Sequence, residues 1–116
     1  MEIGVDCVNI DRFEKENLSS EALLKKIFTE KEILYCEKKT KSSQHYAVRF
    51  AGKEAVMKAL NQYNIKIPTN KIEILNNEKG IPYVRILDNN LNDLDVKISL
   101  SHSKDIAIAM AIIYKK

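Results

Sequence analysis

Gln44-His45-Tyr46-Ala47-Val48-Arg49-Phe50-Ala51-Gly52-Lys53-Glu54-Ala55-Val56-Met57-Lys58-Ala59-Leu60 is the longest helical pattern in the chain, and what stands on either side of it sets the fold. At about 100° per residue, Tyr46, Phe50 and Met57 fall within about 40° of one another, the apolar stripe of an amphipathic helix. Glu54 falls on the same stripe, and Lys58 follows one turn later. After Asn61 the pattern changes to alternation. Ile72 and Ile74 lead into the turn Asn76-Asn77-Glu78-Lys79-Gly80, and Val84 and Ile86 follow it, which reads as a hairpin. Val96, Ile98 and Leu100 alternate up to Ser101-His102-Ser103. The last strand, from Asp105 to Tyr114, sets Ile106, Ile108, Met110 and Ile112 against Ala107, Ala109 and Ala111. The alanine face allows a helix or a neighbouring subunit to approach closely.

On the amino-terminal side, Thr29-Glu30-Lys31-Glu32 is a capping-box pattern that starts a helix running to about Lys38. The polar stretch Lys39-Thr40-Lys41-Ser42-Ser43 reads as a loop. Leu23, Leu24 and Ile27 recur at helical spacing behind Ser20 as a cap, and Asp11 to Glu16 reads as a short helical turn carrying Arg12 and Phe13. Ile3 to Ile10 is apolar on both alternating faces, as expected of a strand covered on both sides. Asp6 breaks that strand, sharing a face with Gly4, Val8 and Ile10. Strand, helices, then a run of antiparallel strands is an α+β order: an amino-terminal strand and helices packed on an antiparallel sheet, in one domain spanning residues 1–116.

A chain of 116 residues with 45% hydrophobic content can bury one core, but three Phe, five Tyr and no Trp leave most of the packing to aliphatic residues. Subunit contacts would help such a core. The net charge of +3 is spread over 19 basic and 16 acidic residues. There is no Lys/Arg tract, no aromatic-basic stacking surface and no nucleic-acid motif, so the composition argues against nucleic acid as the ligand. Cys7 and Cys36 belong to no C-x-x-C or disulfide-dense pattern, consistent with reduced thiols in a cytoplasmic protein. No apolar run is long enough for a membrane span.

Four features can carry chemistry: Asp6, Glu54, Lys58 and His102. A carboxylate on an apolar strand has to be neutralised, hydrogen-bonded or metal-bound. Glu54 and Lys58, at i and i+4, have the spacing of an ordinary surface ion pair, and a histidine after a strand can simply serve the turn. If Asp6 and Glu54 converge, two carboxylates with no histidine or thiolate beside them make a hard-oxygen site. Such a site suits Mg²⁺, with Mn²⁺ as the alternative ion, and Mg²⁺ at one or two carboxylates points to phosphate chemistry. With only Gly4, Gly52 and Gly80 in the chain, no glycine-rich phosphate loop is available. Side chains must hold any phosphate, and Arg49, Lys53, Lys58 and His102 are the candidates.

Five strings, in order, resemble the holo-acyl-carrier-protein synthases of the 4′-phosphopantetheinyl transferase superfamily. They are Gly4-Val5-Asp6 with Ile10-Asp11-Arg12-Phe13; Phe28-Thr29-Glu30-Lys31-Glu32; Arg49-Phe50-Ala51-Gly52-Lys53-Glu54-Ala55-Val56-Met57-Lys58-Ala59; Asn77-Glu78-Lys79-Gly80-Ile81-Pro82-Tyr83; and Ser99-Leu100-Ser101-His102-Ser103. The resemblance runs from Met1 to about Ile113. It implies an enzyme that moves 4′-phosphopantetheine from coenzyme A to a serine of acyl carrier protein, in fatty acid biosynthesis and lipid metabolism. It also implies a homotrimer with sites at its subunit interfaces. By the same resemblance Asp6 and Glu54 bind Mg²⁺, and Lys58 touches the phosphates. Glu54 and Lys58 are then catalytic, with Glu54 the candidate acceptor for the serine proton. His102 meets coenzyme A from a neighbouring subunit, joining Arg49, Lys53 and Lys58 as coenzyme contacts. Arg12 and Phe13 meet the carrier. A non-catalytic coenzyme A or carrier-binding module of the same fold is the alternative. The chain departs from the family pattern at Val48, at Asn61 to Lys66 and in a shortened helix over Asp88 to Asp95.

Overall fold

β1 (Glu2–Asn9) and β5 (Ile106–Lys115) pair antiparallel, with Gly4 opposite Ala111, Asp6 opposite Ala109 and Val8 opposite Ala107. β4 (Leu94–His102) pairs antiparallel with the other edge of β5, giving a three-stranded sheet in the order β1-β5-β4. The hairpin of β2 (Ile72–Asn76) and β3 (Pro82–Ile86) forms its own two-stranded ribbon. Gly80 takes a left-handed φ of 79° in its turn, where a side chain would be strained. The computed structural model describes residues 1–17 and 21–116. The expected cap at Ser20 lies outside the described residues.

Among the described residues three α-helices join the first strand to the hairpin: α1 (Glu21–Ile27), α2 (Glu30–Glu37) and α3 (Ser42–Asn61). α2 starts at the expected capping box, with the Thr29 hydroxyl and Glu32 each accepting from the other's backbone N–H. α3 begins at Ser42, two residues before the expected start. It lies across the alanine face of β5, where Ala107, Ala109 and Ala111 are buried. A helix thus takes the close approach that those alanines allow. Gly4 permits the closest contact, because a Cβ there would run into the carbonyl of Ala55. Gly52 plays the corresponding part on the opposite flank of α3, against Ile74, Ile98 and Leu100.

The other face of the sheet is uncovered in the single chain. Ile3, Val5 and Cys7 of β1 lie beside Ile112, Met110 and Ile108 of β5, and Val5 is 53% exposed and Ile108 45%. The expectation that β1 is covered on both sides therefore fails for one chain alone. The free edge of β1 is partly closed by α3: the Gln62 amide, one residue beyond the helix, donates to the Ile3 carbonyl at 2.8 Å, and the Lys58 ammonium to that of Val5 at 3.0 Å.

Asp88 to Asp95 holds only a single 3-10 turn over Asn89–Leu91, with the Asp88 carboxylate accepting from the Asn90 N–H. The short helical segment expected there is thus a capped turn leading into β4. No helix among the described residues is long and apolar enough to cross a membrane.

Candidate active site

α3 and β1 run antiparallel, and this brings Lys58 of the helix to Asp6 of the strand. Gln62 meets β1 at Ile3, and four residues earlier Lys58 meets it at Val5 and Asp6. Glu54 stands one further turn, about 6 Å, along the same helix. Lys58 Nζ lies 3.0 Å from Asp6 Oδ1, with the lysine side chain 54% exposed and the aspartate 19%. Asp6 faces the helix, as its shared face with Gly4 and Val8 requires. Glu54 is half-buried and accepts no hydrogen bond or ion pair among the described residues. The local pairing of Glu54 with Lys58 is thus replaced by a long-range one.

The donor set fits a hard divalent cation. Among the described residues no three His, Cys, Asp or Glu side chains gather as a ready-made metal cage. Mg²⁺ needs less, since it commonly takes one or two carboxylates and completes its shell with water and phosphate oxygens. Asp6 and Glu54 supply that number.

On the other flank of α3, Arg49 and His102 line a cavity of about 320 Å³ with Tyr35, Asn76 and Gly80. The Arg49 guanidinium lies 4.2 Å from the centre of the Tyr35 ring, and Lys39 covers the same ring at 4.8 Å. Arg49 is 2% exposed; it donates to the Ile74 carbonyl at 3.2 Å, to the His45 carbonyl at 3.3 Å and to the Asn76 side chain. His102 is exposed, its Nδ1 3.1 Å from the Ser103 carbonyl. Burial holds the His45 imidazole below its ordinary pKa, assisted by the positive charge of Arg49, Lys39 and His102. The positive groups around this cavity suit an anion.

Two expected site residues are used elsewhere. Lys53 is fully buried: its ammonium pairs with Glu32 Oε1 at 2.7 Å and donates to the carbonyls of Thr69 and Ile72, leaving no proton for a phosphate. Phe13 is 3% exposed and packs against Phe28 and Phe50, with ring centres 5.9 and 5.4 Å away, so it belongs to the core. Arg12 is exposed and lies over the Phe50 ring at 4.8 Å. Sequence reasoning missed Gln62 and Glu32. Gln62 continues the spacing Glu54, Lys58, Gln62 along one helix face, which was the available signal. Glu32 looked complete as a capping residue, although its second oxygen also accepts from the Ile74 N–H at 2.8 Å.

Residues 2–111 match the family model described as the 4′-phosphopantetheinyl transferase superfamily. A holo-[acyl-carrier-protein] synthase of Chlorobium limicola is 41% identical over 117 residues, covering 97% of this chain and 93% of the relative. One of Fusobacterium nucleatum is 38% identical over 118 residues, covering 96% of each chain. The crystal structure of the Helicobacter pylori holo-[acyl-carrier-protein] synthase in complex with coenzyme A superposes with a TM-score of 0.83 at 30% identity, over 97% of this chain and 99% of that one. With near end-to-end agreement in sequence and in backbone, this chain belongs to the holo-acyl-carrier-protein synthase family of the 4′-phosphopantetheinyl transferase superfamily.

Proposed function

We propose that this protein transfers 4′-phosphopantetheine from coenzyme A to a serine of apo-acyl carrier protein, releasing adenosine 3′,5′-bisphosphate. The observation that carries the reading is the meeting of Lys58 with Asp6, one helical turn from Glu54, which has no partner among the described residues, in a chain of this family. The serine hydroxyl forms a bond to the β-phosphorus, the phosphoanhydride bond breaks, and the electron pair leaves with the nucleoside bisphosphate.

Asp6 and Glu54 are the residues that would hold Mg²⁺ or Mn²⁺. A bound divalent cation supplies charge neutralisation at the pyrophosphate oxygens. Lys58 adds a mobile positive charge for the same oxygens, and its exposed ammonium is free to turn toward them. Glu54 is the group we assign to accept the serine proton. His102 and the Arg49 pocket hold the nucleotide end: the exposed imidazole meets it directly, and the buried Arg49 adds to the positive field of the cavity. Arg12 is the docking residue for the acidic carrier.

The assembly that fits this reading is a homotrimer. Within one chain α3 stands between the two halves of the site, with Asp6 on its Gly4 flank and His102 on its Gly52 flank. One coenzyme can reach both if neighbouring chains meet, and the apolar outer face of β1 and β5 is the surface available for self-association. We place the reaction in the cytoplasm, in fatty acid biosynthesis. The deciding experiment is mass spectrometry of an apo-carrier incubated with the protein, coenzyme A and Mg²⁺. A gain of one phosphopantetheine is expected; binding without a mass gain would leave only a carrier or coenzyme module.

A further inference from the structure

Lys58 has left its helical neighbour Glu54 for a partner 52 positions away, and its ammonium sits between Asp6 Oδ1 and the Val5 carbonyl, 3.0 Å from each. That placement supplies Asp6 with the positive charge that a carboxylate turned toward a helix requires. Asp6 is also, on the proposed reading on which this inference rests, a ligand for a divalent cation. One carboxylate cannot give its full negative charge to both cations. The lysine stem is more exposed than Asp6, with side-chain exposures of 54% and 19%, so Lys58 is the partner able to move.

We propose that Lys58 is the resting counter-cation of Asp6 and a built-in competitor of the divalent metal, giving up Asp6 when the metal binds. The exchange has a direct consequence for coenzyme A. An ammonium released from Asp6 is a single charge on a flexible stem, next to the place where the pyrophosphate arrives. Phosphate oxygens attract Lys58 away from Asp6, and Asp6 without Lys58 binds the cation better. Coenzyme and metal therefore reinforce each other's binding through this one side chain.

Mn²⁺ alone, titrated against the full-length protein and followed by the electron paramagnetic resonance of the free ion, tests the proposal without turnover. Lys58→Met keeps the stem and removes the competitor, and should bind Mn²⁺ about two- to fivefold more tightly, the range expected for release of one exposed ion pair. Lys31→Met, which removes an exposed lysine from α2, should leave the affinity unchanged. Equal or weaker binding by Lys58→Met, or the same gain in Lys31→Met, overturns the exchange. Asp6→Asn separates the two levels of the argument. If it binds Mn²⁺ as well as the wild type, the metal assignment itself is wrong; if it binds poorly while Lys58→Met shows no gain, only the exchange is wrong.

Discussion

The Lys53 ammonium and the Glu32 carboxylate meet at 2.7 Å with no solvent exposure on either side chain. Burial pushes the Lys53 pKa down, and Glu32 opposes that shift. The pair ties α2 to α3, and through the Ile72 carbonyl and the Ile74 N–H it ties both to β2. Removing one partner strands a charge in the core. Lys53→Met should cost about 3–5 kcal/mol. Against the total stability of a small domain that is a large share. Urea denaturation will show it as a lower midpoint at unchanged slope, whereas a wild-type midpoint would mean that the pair is energetically idle.

Asp6→Ala and Glu54→Ala should each lower metal-dependent transfer by on the order of a hundredfold or more. Both side chains lie outside the buried core, so circular dichroism should report an unchanged fold. Near wild-type turnover by either variant at the same Mg²⁺ concentration would remove that residue from the metal site.

Arg12 is exposed at the end of the first helical turn, over the Phe50 ring. Arg12→Glu should weaken carrier binding by roughly tenfold while leaving coenzyme A affinity unchanged, and added salt should slow association of the wild type. Surface plasmon resonance with immobilised carrier measures both. Equal loss of carrier and coenzyme binding would point instead to a structural role for the arginine on its aromatic bed.

The pocket histidine gives the protein an acid-sensitive element. His45 titrates below its ordinary value of 6.5 in the folded chain, through burial first and then the positive charge of Arg49, Lys39 and His102. Below about pH 6.5 the unfolded chain binds the proton and the folded chain resists it. This contribution to stability is therefore fully present above pH 6.5 and is lost as the pH falls through the folded value. Melting temperatures at pH 7.5 and 5.5 should differ more for the wild type than for His45→Gln. An identical difference in the two proteins would show that His45 is not the source.

The division of the site across α3 predicts complementation. If one chain supplies Glu54 and its neighbour His102, co-refolding inactive Glu54→Ala with impaired His102→Ala chains creates some interfaces free of both lesions. Random mixing should restore about a quarter of the sites. Mixed samples that exchange subunits yet stay as inactive as their parents would place the whole site in one chain.

Periodicity made the elements legible because each is amphipathic: the α3 stripe, the hairpin around Gly80 and the alanine face of β5 all stand as read. Asp6 was visible as a carboxylate on an apolar strand, and its partner Lys58 was on the right helix but was assigned to the wrong side chain. Helical spacing sees only i+4 neighbours, and the strand that competes for Lys58 lies far away in the chain. The same limit explains Lys53. It was a candidate because side chains must hold any phosphate, but successive residues on a helix point about 100° apart, and this one turns into the core. Phe13 was misplaced for a related reason, since a short 3-10 turn carries no period from which to tell its inner face from its outer one.

Lys58 and Gln62 also have a role that involves no ligand. Their bonds to the Val5 and Ile3 carbonyls occupy acceptors on the outer edge of β1, where an unrelated strand would otherwise find a template to extend. Sideways growth into a ribbon is obstructed at that edge, while the apolar face formed by Val5, Ile108 and Met110 stays open. Copies that associate as proposed would meet on the face, where a rotation that closes on itself yields a finite particle rather than a fibril.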